Sequence, residues 1–353
     1  MTNRLATAIG AFPLANPLIC GSGEPVITDA GIRAALAAGA AGVIAKSVNE
    51  RPEGAAQLDR ADYAFLTADH RVVPDGADPD GADLFCRSGL APYDPAAWFA
   101  RLAALDAEAA ATGRFVAASV VLAGHDGAVR IAGLARAAGL RVFELNVGAP
   151  HAGEAAAGAI SQETDPAALA ILVGRVRAAT AGMQLWVKLT GLSANLPVLA
   201  HAAAQAGADA VVMMGRFMAL VPDLDTLAPV LGTAGAYGGP WALPIVCRFL
   251  ADSRRAVGPA FPLLGTNGAR SGADVARLAL AGASAVEVLS VVMRDGFGAL
   301  ARILAELEAL LTSRGLTFGA LIGRAADTQQ SYAVQPPFTA RWRSFVPPET
   351  LAD

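Results

Sequence analysis

Lysine is the scarcest chemically useful residue in this chain of 353 residues. It occurs only at Lys46 and Lys188, although lysine and arginine together number 27. Each lysine closes a short apolar run, Gly42-Val43-Ile44-Ala45 before the first and Leu185-Trp186-Val187 before the second. Two random positions would both fall at the ends of buried strands on the order of one time in a thousand, given about a dozen such positions in a barrel. A compact ammonium donates in three directions, which a planar guanidinium does not imitate, so a site needing such a cation would keep lysine in an otherwise arginine-only protein. A second constellation is Gly265-Thr266-Asn267-Gly268, with Leu289-Ser290 downstream. Turns of this kind after consecutive strands suit a phosphate, because backbone N–H groups converge there and glycine lets them approach closely. A third is Asn146-Val147-Gly148-Ala149-Pro150-His151, which delivers an asparagine and a histidine beyond the end of a strand. His151 is a candidate acid or base near neutral pH, and equally a loop histidine making one structural hydrogen bond.

Short apolar runs alternate with longer amphipathic stretches rich in alanine, leucine and arginine, a pattern that argues for βα units and a parallel sheet. Eight strand candidates emerge, at residues 17–20, 43–46, 115–121, 142–147, 185–189, 210–214, 262–265 and 285–290. Eight is the closing number of a (β/α)8 TIM barrel, and the fold class expected is α/β of that kind. Helices are expected at 29–38 behind a Thr28 cap, and at 95–111, 126–138, 165–179, 195–206 and 295–311. Several end in Ala-Gly, where glycine supplies a left-handed cap. Residues 48–93 and 219–240 break the rhythm and are expected as long irregular loops over the same end of the barrel. The barrel is assigned to residues 1–311, and 312–353 to a C-terminal extension that packs on the barrel or on a partner.

A net charge of −4 with dispersed basic residues gives no reason to expect nucleic acid. Cys20, Cys86 and Cys247 contain no Cys-x-x-Cys pair, so this chain is expected to carry no metal or iron–sulfur cluster of its own. Widely spaced cysteines also suit a reducing, cytoplasmic setting. Residues 1–11 lack the apolar core of a signal peptide, and no run reaches the roughly 18 apolar residues of a spanning helix. The mean hydropathy of +0.44 then reflects alanine-rich helices and buried strands, with no membrane implied.

Taken in order, these motifs resemble the FMN-dependent dihydroorotate dehydrogenase and dihydropyrimidine dehydrogenase superfamily over about residues 16–326. Asn16-Pro17-Leu18-Ile19-Cys20-Gly21-Ser22-Gly23 is similar to the family's first strand, Lys46-Ser47 to its Lys-Ser or Lys-Thr, and Val187-Lys188-Leu189-Thr190 to the Lys-Leu-Thr of dihydropyrimidine dehydrogenases. Gly238-Gly239-Pro240 resembles the family's Ser-Gly turn, and Gly265-Thr266-Asn267-Gly268 with Ser271-Gly272 its phosphate-binding end. The resemblance implies FMN. Its phosphate would lie near Gly239, Thr266, Asn267, Gly268, Leu289 and Ser290, and Gly21, Ser22, Lys46, Ser47 and Asn146 would meet the ring. Lys188 would lie at the N1/O2 edge, where a fixed ammonium favours the reduced anion.

The departures fall on the substrate side. Ala149 stands where the family places a catalytic cysteine or serine, and it has no proton to give or take. Cys86 and the pair Gly215-Arg216 stand where the family has asparagines or threonine that hold a pyrimidine. The expectation is therefore an FMN oxidoreductase acting on CH–CH bonds of a small, non-pyrimidine molecule, with an anion among the options. Asn146, Arg87, Arg216 and His151 would bind the substrate, and Lys46 and Lys188, with His151 or Cys86 as acid or base, would serve the chemistry. Cys86 also reads as a small buried hydrophobe. An authentic dihydroorotate or dihydropyrimidine dehydrogenase with an unusual base, and a silent FMN-binding scaffold, remain as alternatives. The electron acceptor or reductase is not legible, and a homodimer is what the resemblance implies.

Overall fold

A computed structural model describes residues 3–149 and 161–351. The hairpin Thr7–Ile9 (β1) and Phe12–Leu14 (β2) comes first. Barrel staves begin with Leu18–Cys20 (β3) and Gly42–Ile44 (β4), after which the chain leaves for Asp62–Leu66 (β5) and Asp83–Arg87 (β6). It returns for Phe115–Val121 (β7), Val142–Asn146 (β8), Gln184–Lys188 (β9) and Ala210–Met213 (β10). A second excursion adds Phe217–Ala219 (β11) and Gly235–Gly238 (β12), before Leu263–Thr266 (β13) and Ala283–Val288 (β14) finish the ring. Among the described residues, β3, β4, β7, β8, β9, β10, β13 and β14 close in that order into a parallel barrel. The chain thus has the (β/α)8 TIM-barrel fold that its sequence predicts.

Helices Asp29–Ala37 (α1), Pro52–Ala56 (α2), Pro95–Ala110 (α3), His125–Ala137 (α4), Pro166–Ala179 (α5), Leu196–Gln205 (α6), Leu243–Val257 (α7), Gly272–Leu280 (α8), Ser290–Asp295 (α9) and Gly298–Ser313 (α10) complete the framework. Their starts follow local chemistry. Thr28 accepts from the Gly31 amide, Asp94 from Ala97 and Asp165 from Ala168, so each satisfies an amide that the first turn leaves free. Ser271 and Asp274 form a reciprocal capping box at α8. The helix expected at 295–311 is α10, and it starts three residues late: the short α9 ends at Asp295, Gly296 turns the chain at φ 72°, and α10 starts at Gly298. Likewise the last stave stops at Val288, because Leu289 leaves the extended conformation and Ser290 opens α9.

Strand periodicity sorts the barrel's two faces. Val116, Ala118 and Val120 pack outward with the helices, whereas Phe115 and Ala117 point inward with Ile44, Val142, Trp186, Val212, Leu264 and Ala285. The hairpin plugs this apolar lower layer with Ile9 and Leu14, and Phe12 meets Phe115 edge-on at 5.5 Å. One step higher along the same inward face come Ser119, Glu144, Lys188 and Glu287, all of them buried. The core is thus dry below and polar above, and the polar layer opens at the carboxyl ends of the staves.

The two regions expected as irregular loops correct that expectation. They pair with each other, β11-β12-β6-β5, as an antiparallel sheet, with Ala236 opposite Cys86 and Tyr237 opposite Phe85. Phe85, Leu66, Val221 and Leu231 form its own small core. Backbone groups over the barrel mouth find partners this way, which isolated loops of such length would not supply. After α10 the chain packs Phe318 and Leu321 into the main core, and Asp327 accepts from Arg254 at 2.8 and 2.9 Å. Beyond that point most side chains up to residue 350 are exposed.

Candidate active site

The lid sheet and the carboxyl ends of the staves enclose a cleft of about 1030 Å³, its open mouth included. Gly21, Ser22, Lys46 and Ser47 line one side, Lys188 and Glu287 the floor, and Thr266 to Ala269 with Leu289 and Ser290 one end. The lid contributes Leu84, Ser88, Gly89 and Leu90. Leu90, Val121 and Ala149 form an apolar wall.

Both lysines lie at this cleft, 5% and 9% exposed, and each is ion-paired. The β4 ladder and the Trp98 indole, which donates to the Lys46 carbonyl at 3.2 Å, fix the backbone of Lys46. Its ammonium donates to Glu24 Oε1 at 2.7 Å and to Ser88 Oγ at 2.9 Å. Ser88 Oγ and Tyr63 Oη donate to the same Glu24 oxygen. Burial alone would raise the Glu24 carboxyl, but the Lys46 charge and these three donors outweigh it and hold the group down to about 2. Glu24 is therefore a fixed anion and not a base near neutral pH. Burial and the Glu24 charge push the Tyr63 hydroxyl well above its ordinary range.

Lys188 stands between two carboxylates, Glu144 at 3.2 Å and Glu287 at 2.5 Å. Despite burial, their charges keep its ammonium protonated well above the ordinary range. From Glu144 a file of hydroxyls leads back to the opposite wall. Ser119 donates to Glu144 at 3.0 Å, Ser47 lies 2.8 Å from Ser119, and Ser22 lies 3.0 Å from Ser47.

The other end has an anion-binding character. Asn267 adopts φ 75° and its Nδ2 is buried with no partner among the described residues; Gly268 follows at φ 94°. A side chain at Gly268 would meet the Leu243 amide at 2.7 Å, so glycine alone permits this approach. A smaller adjoining cleft is lined by Gly239, Gly268, Ser290, Arg270 and Arg294. Gly239 thus belongs to this annex and not to the main cleft, because Asp83 of the lid covers it: a Cβ on Gly239 would lie 2.1 Å from Asp83 Oδ1.

Of the remaining sequence candidates, Asn146 lines the cleft, where its Oδ1 accepts from the Gly148 amide at 3.1 Å. Arg216 lines it too and makes no ion pair among the described residues; its Nη1 donates to Cys86 Sγ at 3.0 Å. Cys86 itself is 1% exposed, packs in the lid with Leu84 and Ala236, and stands behind Arg216, outside the cleft lining. Arg87 is placed elsewhere. Alternation along β6 turns it to the opposite face from Leu84 and Cys86, where it pairs with Asp62 at 3.5 Å and does not line the cleft. His151 lies outside the described residues.

Sequence reasoning missed Glu24, Tyr63, Ser88, Ser119, Glu144 and Glu287. The last two carried a signal, a single carboxylate inside each of the apolar runs Val142-Phe143-Glu144-Leu145 and Val286-Glu287-Val288. Glu24, Tyr63 and Ser88 belong to separate segments with no local mark, and only the closed lid brings them together. Among the described residues no cluster of His, Cys, Asp and Glu could hold a metal ion, and no helix is long and apolar enough to cross a membrane.

Comparison with known proteins agrees with this architecture. A family model described as dihydroorotate dehydrogenase matches residues 125–311, just over half of the chain. The chain is 33% identical over 183 residues to dihydroorotate dehydrogenase A (fumarate) of Limosilactobacillus reuteri, covering 52% of this chain and 58% of that protein. It is 33% identical over 192 residues to the catalytic subunit of dihydroorotate dehydrogenase B (NAD(+)) of Desulforudis audaxviator, covering 54% and 60%. The corresponding subunit of Geobacter sp. gives 33% over 198 residues, covering 56% and 62%. The match thus spans about three-fifths of each of these relatives. Because the matched segment carries the staves from β8 to β14, with Glu144, Lys188, Glu287 and the anion-binding end on them, the chain belongs to the dihydroorotate dehydrogenase family.

Proposed function

We propose that this protein is an FMN-dependent oxidoreductase acting on a CH–CH bond of a small anionic substrate. The observation that carries the reading is the convergence of both lysines, the Gly21-Ser22 backbone and the Asn267-Gly268 turn on one cleft of a barrel from this family. The residues suit the cofactor. Asn267 Nδ2 is a buried donor awaiting an acceptor, Gly268 lines both the cleft and its annex, and Arg270 and Arg294 flank the annex where a phosphate would sit. When bound, the flavin supplies a hydride acceptor or donor at N5. Lys188 and Glu287 would meet the ring from the floor, and Ser22, Ser47 and Lys46 from the side.

Around the substrate, Arg216 is a half-buried guanidinium without an ion-pair partner among the described residues, and it would pair with a carboxylate or similar anion. Leu90, Val121 and Ala149 exclude water on the side where the family resemblance expects the cysteine or serine. Ser88 is the hydroxyl that lines the cleft from the lid, held by Glu24 and Lys46, and it would help to position the substrate from that side. A non-pyrimidine anion is favoured because, among the described residues, only Asn146 and Asn267 bring amide side chains to this space. A second reading, dihydroorotate itself, is favoured by the names of the relatives and by the fact that this substrate also carries a carboxylate that Arg216 could bind. The electron partner, a homodimeric assembly and a cytoplasmic setting belong to the same proposal.

Purified protein should be yellow and release FMN on denaturation, and Lys188→Met should weaken FMN retention at least tenfold, about 1.4 kcal/mol. Anaerobic titration with dihydroorotate and with a panel of organic acids then separates the readings. Bleaching by dihydroorotate supports the second, and bleaching by another acid alone supports the first. A colourless protein that takes up no FMN would overturn both.

A further inference from the structure

The floor of the cleft holds more negative charge than a dry core tolerates. Glu144 and Glu287 are 0% and 1% exposed, and both address the single ammonium of Lys188. Two buried carboxylates around one cation retain a proton between them, because ionising both leaves an uncompensated charge out of water.

Hydrogen bonding decides which carboxylate keeps the proton. Glu144 Oε1 accepts from Ser119 at 3.0 Å and from Lys188 at 3.5 Å, and its Oε2 accepts from Lys188 at 3.2 Å. Both its oxygens act as acceptors, which favours the ionised form. Glu287 Oε2 accepts from Lys188 at 2.5 Å, but its Oε1 is buried without a partner among the described residues, on a side chain that lines the cleft. A proton on Oε1 turns an orphaned acceptor into a donor, on a side chain that lines the cleft. We propose that Glu287 is a neutral carboxylic acid at neutral pH and that, beside Lys188, it donates a hydrogen bond to an acceptor atom of the bound ring. The cluster Glu144–Lys188–Glu287 then meets its ligand with no net charge.

The surroundings agree. Cys20 on β3 is the next titratable group, and burial together with the Glu287 charge pushes its thiol up to about 12, so it stays neutral. From β13 only Thr266 comes alongside. Burial, the Glu144 charge and a hydrogen bond shared with Glu144 push Glu287 up to about 8, against the pull of Lys188. Identifying the acceptor with a flavin atom rests on the function proposed above; the protonation of Glu287 does not.

Two measurements test this separately. In protein without added flavin, the infrared difference between wild type and Glu287→Gln at neutral pH should show a protonated-carboxyl band that titrates away above about 8. Absence of that band overturns the proposal whether or not FMN binds. Should the variant not fold, pH titration of the wild-type band reads the same proton. In FMN-loaded protein, reduction adds negative charge near Glu287, so above its titration it should take up one extra proton per two electrons. The fall of the midpoint potential with pH should therefore double in slope above about 8 in wild type and keep a constant slope in Glu287→Gln. Equal slopes in the two proteins would sink the donor role, while failure to bind FMN would instead sink the flavin reading.

Discussion

Asp83 is the residue that least suits the phosphate end. Its carboxyl lies against Gly239, its Oδ1 accepts no hydrogen bond among the described residues, and its ion pair with Arg270 is long, 3.8 Å. Burial raises its pKa, opposed by Arg270, the Tyr237 hydroxyl and Arg294. An arriving phosphate would repel the ionised form, so Asp83→Asn is expected to tighten FMN binding by about fivefold, roughly 1 kcal/mol. A fluorescence titration of apoprotein with FMN reads the change, and unaltered affinity would show that the carboxylate does not face the phosphate. Residue by residue, legibility followed rarity. Two lysines in a chain of arginines stand out by themselves, and so does a glutamate within an apolar run. Ser88 has many counterparts, and nothing local distinguishes it.

The lid sheet is the element the local pattern concealed. Its strands are three to five residues long and lie among Asp, Pro and Gly. Their hydrogen-bond partners come from the other excursion, where Cys86 meets Ala236 across about half of the barrel's sequence. Short strands of this kind have no amphipathic signature of their own, and the pairing creates it. The junction of β6 and β12 is close. A Cβ on Gly235 would lie 2.7 Å from the Phe85 ring and 3.0 Å from the Cys86 carbonyl. Gly235→Val should part the sheet at a cost of roughly 1–3 kcal/mol, loosening the lid while the barrel stays folded. Limited proteolysis would then cut residues 48–93 faster than in wild type, with only a small change in melting temperature. Equal resistance would mean that the lid is held chiefly by other contacts. Helix starts, by contrast, were legible because Thr28, Asp94 and Asp165 act on amides three residues away.

For the whole molecule, the Glu24–Lys46 pair joins the loop after the first stave to the end of the second and, through Ser88 and Tyr63, to the lid. Because the folded Glu24 lies near 2 against an ordinary 4.5, its contribution is present above about 4.5 and is lost as pH falls toward 2. It amounts to at most roughly 3 kcal/mol. Glu24→Gln should therefore be less stable than wild type at neutral pH, with the gap closing in acid, as denaturant unfolding at a series of pH values would reveal. A gap that does not narrow would contradict the assigned ion pair.

The sequence by itself determined the barrel, its staves to within a residue or two, the starts of five of the ten described helices and the family, since all of these depend on hydrophobic period, capping and short motifs that neighbours in the chain express. Tertiary structure alone decided that the two irregular stretches form one lid. It turned Arg87 away from the cleft, withdrew Cys86 to cap Arg216, and set Glu144, Lys188 and Glu287 in a single layer. Each of those outcomes is a contact between distant segments, and the choice between a buried pair and a solvated charge is made only when the barrel closes and removes the water.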